Sequence, residues 1–493
     1  MNHFNLVLDF WARAGGAGGG HFSGGGGFGG GRGGGGGGGF GSSGDDNFIF
    51  YLLLRLMAGG PIGWLVLAVI AYLVFKFFIQ NSTELSDPDF VAPPDAASPS
   101  AAPYVPQINE VALDVLEGQP VAEFQNKVAN AFSTIQSAWS QKRVDMMRRF
   151  ISDGVYQRFH AQFTMMNLLS QSNLISNVHI HDIRMVKTST EGGYQSIDVQ
   201  IEASSTDQFM SAKFPQLNTA GGVENFVEFW TFIRRVDHKR GQDIFDSENC
   251  PKCGAPLTLK LVETAKCPYC GTYINSGEYD WVLAEITQAN DYNLDLSDLT
   301  ELPPLPRANR AAVLAVYPSF STYVMEDRAS NAFMQILIGL ATRNLDALKK
   351  FTSDRYFAFL KANLPPLQFV YDRLFTKAVE LLGVRIEGQT LTAFVAIQYE
   401  YQQVNLSTLA QTLDIPEDHS TECKILVMVR TISDVTKKGS TYAGSCPACG
   451  AAVKDSLDVT CKYCGQVFND SRMDWIVESI LSAQEYRALA AQA

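Results

Sequence analysis

The apolar positions along this chain change period part-way through, and the whole pattern then repeats. From 121 to 141 they fall at Phe124, Val128, Ala131, Phe132, Ile135 and Trp139, the spacing that lines one face of an α-helix. Asp145 opens a short second helix, and Ser152 and Asp153 start a third that carries Tyr156, Phe159, Phe163 and Met166. The period then drops to two. Val178, His179 and Ile180, the pair Gly192 and Gly193, and residues 197–201 read as a hairpin; 226–236 and 281–286 read as further strands. The second half predicts helices near 329–342, 345–351 and 353–364, then strands near 384, 393–401, 423–432 and 475–480. Helices followed by antiparallel strands predict an α+β fold, with the helices packed on one face of a curved sheet.

The repetition extends to residue identity. Asn130, Ala131 and Phe132 recur as Asn331, Ala332 and Phe333, Asp145 recurs as Asp346, and Ser152 and Asp153 recur as Ser353 and Asp354, all at an offset of 201. The offset falls to 196 at Arg234/Arg430 and Cys250/Cys446, and to 194 at Cys267/Cys461 and Trp281/Trp475. A duplicated domain of roughly 165 residues, with small insertions and deletions in its loops, accounts for this drift. Each copy is a control for the other: a residue missing from one is not essential to what both share.

Ahead of the repeats, residues 63–79 form an apolar run broken only by Lys76, with Pro61 and Ile62 before it. Its length of about 18 residues crosses a hydrocarbon core of about 30 Å, and Trp64 and Tyr72 suit interfacial or lipid-facing places. The expectation is one transmembrane helix at about 61–79 within a membrane segment spanning 47–80. The apolar stretch 48–57, interrupted by Arg55, is too short to span, and lies in the interface or extends the helix. Residues 1–46 are Gly-rich, with few side chains able to bury surface, and are expected to be disordered. Met1 to Ala14 lacks the basic start and long apolar core of a cleavable signal peptide. Residues 81–119, rich in Pro, Ala and acid, read as an extended spacer. A first domain at 120–292 and a second at 325–493 follow, joined by a linker at 293–324 that contains Pro303, Pro304 and Pro306.

Charge narrows the field. Asp and Glu number 51 against 39 Lys and Arg, for a formal net charge of −12. Residues 81–120 carry seven acids and no Lys or Arg, so the remainder is only mildly acidic and lacks the broad basic face of a nucleic-acid binder. Eight of the nine cysteines fall in two sets: Cys250, Cys253, Cys267 and Cys270 in a ribbon at 248–273, and Cys446, Cys449, Cys461 and Cys464 in a ribbon at 444–467. Each C-x2-C turn aims two sulfurs at one centre and the following Gly lets the backbone fold round it, so two structural zinc ions are expected. Rubredoxin-like iron uses similar knuckles, and disulfides would require an oxidising side of the membrane. With four thiolate ligands no coordination position stays open, which argues against catalysis at the metal. Thiolate sites also favour a reducing compartment, placing the repeats in the cytoplasm and the Gly-rich tail outside.

Other candidates fade when the copies are aligned. Cys423 matches Val227, an apolar strand position, and reads as a core residue. His179 and His181 alternate on a strand, but pairing Val178 with Val384 sets them against Arg385 and Glu387, which suit a solvated face. Lys142 and Arg143, Arg148 and Arg149, and Lys349 and Lys350 lie near helix ends, where they could meet anionic headgroups or simply face water. Asp153 and Asp354 repeat, yet Ser-Asp before a helix is explained by capping. Arg234 and Arg430 coincide between copies and are candidates for packing on the ribbon or for facing a ligand.

A Gly-rich tail, one membrane helix, a Pro-rich spacer, and a helix-then-sheet domain carrying both knuckles followed by Asp280-Trp281 or Asp474-Trp475 resemble bacterial membrane proteins. Their domain is similar to the matrix-facing subunit 44 of the mitochondrial inner-membrane translocase, within the nuclear transport factor 2-like superfamily of cone-shaped folds. The tandem arrangement and inserted ribbons depart from the mitochondrial subunit. The resemblance implies a non-catalytic role at the cell (inner) membrane: docking to anionic lipid, or recruiting a protein or peptide partner beside a transport machine. No catalytic or cofactor-binding residue is assigned. The rivals are an isomerase- or dehydratase-type enzyme, which would need an Asp/His or Tyr/Asp set inside the cone, and a nucleic-acid binder acting through the ribbons.

Overall fold

The computed structural model describes residues 113–491, with breaks inside the chain, the longest at 258–264, 293–309 and 406–419. The Gly-rich tail, the membrane segment with its span at 61–79, and most of the spacer 81–119 lie outside the described residues. Among the described residues no helix is long and apolar enough to cross a membrane.

The first half opens with a short 3-10 turn, Leu113–Leu116, then helices α1 (Val121–Ser140) and α2 (Asp153–Leu168). Strands β1 (Gln171–Glu191), β2 (Tyr194–Ser211), β3 (Gly222–Arg235) and β4 (Val282–Gln288) follow and pair in that order, all antiparallel. All six apolar positions of the α1 stripe are buried, packed in one core with Ile197, Val199 and Ile201 of β2 and Trp230 and Phe232 of β3. Ser152 caps α2 by accepting from the Val155 amide at 3.1 Å. Asp145 opens only the 3-10 turn Val144–Met146 and not a helix. Just beyond it, Phe150 and Ser152 exchange backbone hydrogen bonds with Leu283 of β4.

The second half repeats this plan. Helices α3 (Arg310–Val316), α4 (Thr322–Thr342), α5 (Leu345–Phe351) and α6 (Asp354–Ala362) precede β5 (Phe369–Glu387), β6 (Thr390–Asn405), β7 (Ser420–Thr431) and β8 (Ile476–Ser482), in the sheet order β5-β6-β7-β8. A final helix, α7 (Ala483–Ala490), covers the sheet face away from α4: Tyr486 is fully buried against Phe394, Leu382 and Ile425. The stretch expected as a linker at 293–324 contains α3 and the first turn of α4, so the second unit begins earlier than 325.

The two sheets match in register down to their irregularities. The β1–β2 ladder slips between Ser176 and His179, between Ile180 and Asp182, and between Met185 and Lys187. The β5–β6 ladder slips between Asp372 and Phe375, between Thr376 and Ala378, and between Leu381 and Gly383, each 196 residues later. Each slip shifts the inward and outward alternation, which is why strands of 21 and 19 residues showed only short stretches of period two. This register also corrects one alignment: the counterparts of His179 and His181 are Phe375 and Lys377, not Arg385 and Glu387. His181 Nε2 lies 2.9 Å from the Ser204 hydroxyl.

The copies interlock. α6 ends at Ala362, which matches Ala161, whereas α2 runs on to Leu168. Ala161, Met165 and Leu169 belong to the core of the second copy, while Tyr323 and Phe375 belong to that of the first. Where α2 meets α4, the half-buried Asp327 carboxylate accepts from the Ser152 hydroxyl at 2.8 Å and the Gly154 amide at 3.1 Å, and Arg158 donates to Ser330 at 2.8 Å.

Candidate metal centres

Each ribbon is a pair of tight turns inserted between the third and fourth strands of its sheet. In the first, the Gly254 amide donates back to the Cys250 carbonyl at 2.9 Å, and the Gly271 amide does the same to Cys267. Gly254, Gly271, Gly450 and Gly465 have φ between 71° and 77°, which a Cβ would resist, so glycine at the end of each knuckle is a geometric requirement. Short bridges between Asn249 and Pro256, and between Lys266 and Tyr273, hold the turns open; Ser445 with Ala452 and Thr460 with Val467 repeat them.

These turns bring the eight cysteines together as two sets of four, with the sulfurs of each set within 4.8 Å of one another. Cys250 and Cys270 lie 3.7 Å apart, as do Cys253 and Cys267; the pairs Cys446/Cys464 and Cys449/Cys461 are at 3.6 Å. A tetrahedron with metal–sulfur bonds of about 2.3 Å has edges of about 3.8 Å, so both sets fit an ion. They do not fit disulfides, which need about 2.05 Å, and all nine cysteines are free. Burial pushes the Cys250 and Cys446 thiols up to about 12. It opposes ionisation of Cys267 and Cys461 too, but backbone amides donating to their sulfurs prevail and bring those thiols down to about 7. The donor set is that of a closed, four-thiolate site, whose contribution is cross-linking rather than reaction. The ninth cysteine, Cys423, sits half-buried on β7 beside the core under α7.

A shell of matched polar contacts ties each ribbon to its domain. Asp280 is buried and accepts from Lys127 Nζ at 2.8 Å and from the Trp281 amide at 2.8 Å. Asp474 is fully buried, with Arg328 at 3.6 Å, the Ser440 hydroxyl at 2.7 Å and the Trp475 amide at 3.1 Å. Burial raises the Asp280 carboxyl by more than Lys127 lowers it. The charge on Lys127 is opposed by burial too, yet Asp280 and Asp243 hold it above the usual lysine range. Asn275 donates to the Ile151 carbonyl at 2.9 Å and to Asp153 at 3.2 Å; Asn469 repeats this with Thr352 at 3.3 Å and Asp354 at 2.9 Å. Lys127/Arg328 and Asn275/Asn469 were missed in the sequence, although the offsets of 201 and 194 place like residues at both sites.

Arg234 stacks on Trp281 at 4.4 Å, while Arg430 stacks on Tyr317 at 4.5 Å. The basic pairs near helix ends do not make one outward patch. Arg148 is buried against Asp153 and Tyr156, Arg149 donates to the Phe245 carbonyl at 2.7 Å, and Lys350 is buried over Phe468.

The helices and first three strands of the first copy are the region that can be compared with known proteins. Residues 119–242 match the Tim44-like domain. The match ends before Cys250, ahead of the ribbon and of β4. No curated protein and no solved structure matches the chain. Since the register of β1 to β3 recurs in β5 to β7, the second half shares the topology of the Tim44-like segment.

Proposed function

We propose that this chain is a single-pass protein of the cell inner membrane that uses tandem Tim44-like domains, each with a zinc-loaded ribbon, as a scaffold for a protein or peptide partner. The observation carrying the binding reading is what the two copies have in common. The cysteines, Lys127 with Asp280, Arg328 with Asp474, and Asn275 with Asn469 are engaged with one another or with the backbone in both copies, as structural supports are. Asp153 and Asp354, the repeated carboxylates, are occupied at helix starts. Zinc is favoured by four thiolates in a tetrahedral arrangement. The Tim44-like match supports a non-enzymatic role, and the apolar run at 61–79 supports anchorage.

The ribbons also offer the presenting surface. Tyr269 and Tyr463 occupy the same place in the second knuckle of each ribbon and are 63% and 68% exposed, unusual for aromatic rings of a folded core. Deleting residues 48–80 is expected to release the chain from the membrane fraction; a full-length chain that stays soluble would overturn the anchor. Replacing Tyr269 and Tyr463 by Ala is expected to leave metal content and unfolding midpoint unchanged while removing the partner captured by cross-linking to the full-length chain. Unchanged capture would move the docking surface elsewhere.

A further inference from the structure

Among the differences between the copies is one at the open end of the first. A cavity of about 370 Å³ lies there, bounded by the turn after Leu116, the first turns of α1 and the end of β3. Its volume falls at the low end of ligand pockets, roughly 300–1,000 Å³, which suits a molecule of amino-acid or dipeptide size. In the second copy the positions of Leu116 and Gln119 are taken by Tyr317 and Phe320, whose rings pack on Trp475 at 6.4 and 6.5 Å, and Arg430 is stacked beneath Tyr317. In the second copy aromatic rings thus occupy the positions that line the cavity of the first with Leu116 and Gln119.

The lining has a defined charge pattern. Lys127 is committed, with Asp280 at 2.8 Å and Asp243 at 3.0 Å. Arg234 and His238 have buried side chains, 7% and 8% exposed. Arg234 Nη2 donates to the Val115 carbonyl at 2.6 Å and to Gln195 Oε1 at 3.0 Å, and Glu117 lies farther off, 3.6 Å from Arg234 and 3.4 Å from His238. His238 Nδ1 is buried with no partner among the described residues. Glu117 stands on a left-handed backbone, φ 51°, at the cavity rim with its side chain 38% exposed, and Glu123 lies beside it on α1. A purely anionic ligand would enter against four carboxylates, Glu117, Glu123, Asp243 and Asp280; a purely cationic one would have to sit against a buried guanidinium.

We propose that this cavity binds a small zwitterion of the amino-acid or short-peptide type. Its carboxylate takes the place of Glu117 against Arg234 and His238, and its ammonium is received by the displaced Glu117 and by Glu123. The ligand is neutral overall, so the charge of the site is preserved. This inference stands apart from the membrane reading and needs neither anchor nor partner.

The test is titration calorimetry on the full-length chain with the twenty free amino acids and with Ala-Ala, N-acetyl-Ala-Ala and Ala-Ala amide. At least one unblocked compound is expected to bind, and blocking either end is expected to weaken binding about ten-fold or more, the effect of losing one charge-assisted hydrogen bond. Gln119→Phe, which copies the plug of the second repeat, is expected to abolish binding while both metals and the unfolding midpoint are retained. Should that variant misfold, His238→Gln serves in its place, with about ten-fold weaker binding expected. Absence of binding by every unblocked compound, equal binding of blocked and unblocked forms, or unchanged binding by a folded Gln119→Phe chain would each overturn the proposal.

Discussion

Single residues carry the information that joins the two halves. Asp291, just after β4, lies 3.3 Å from Lys377 on β5, which in turn lies 3.3 Å from Glu400. Burial raises the Asp291 carboxyl from 3.8 to about 6, Lys377 offsetting only part of that rise. A group whose pKa is higher folded than unfolded binds its proton more tightly in the native state, so stability should fall as pH rises from about 4 to about 6. Asp291→Asn should flatten that decline by about 1–3 kcal/mol, read from urea midpoints at pH 4, 5 and 6; parallel slopes in both proteins would show that Asp291 does not titrate in this range. Such pairs escape sequence reading because nothing local marks them. Lys127 and Asp280 are 153 positions apart, and only the matching pair Arg328 and Asp474 distinguishes them from any other surface charges. The cysteines were legible for the opposite reason: each knuckle is a local motif whose geometry follows from four or five consecutive residues.

At the scale of elements, the helices and strands were readable wherever one face is buried and the backbone stays in phase. α1 and the caps at Ser152 and Ser353 follow directly from periodicity and capping chemistry. α7 and α3 did not stand out: α7 has no counterpart among the described residues of the first copy, and α3 fell in the stretch read as a linker. The length of α2 was readable through Met166, but not that its last turns belong to the other copy's core. That interlock makes a sharp comparison. A Cβ on Gly154 would lie 1.9 Å from Asp327 Oδ1, while the matching residue, Arg355, is exposed on α6. Gly154→Ala should therefore destabilise the chain by about 1–3 kcal/mol, the usual scale of overpacking, whereas Arg355→Ala should change it by less than about 0.5 kcal/mol. Thermal unfolding of the two variants checks this, and equal effects would mean that α2 and α4 are not held in contact in solution.

For the whole molecule the question is whether duplication has produced two domains in series or one cooperative body. The chain's pattern suggested two units joined by a linker, but Asp327 reaches into the start of α2, Gln171 donates to Asp372 at 2.9 Å, and the ribbons meet through Lys266 with the Gly450 carbonyl and Tyr273 with Ser445. Each ribbon also anchors the start of a helix through Asn275 or Asn469, so losing a metal should loosen far more than the knuckles. Structural zinc sites contribute binding free energy directly to folding, with apparent values of about 10–16 kcal/mol in isolated fingers. An embedded ribbon keeps its neighbours' packing, so the loss here should be smaller but should reach both copies. Cys253→Ser is expected to lower the metal content from two ions per chain to one and to move a single calorimetric transition downward as a whole, and Cys449→Ser should do the same. Two separate transitions, with only one displaced by each variant, would show instead that the halves fold independently and that the buried contacts between them add little to stability.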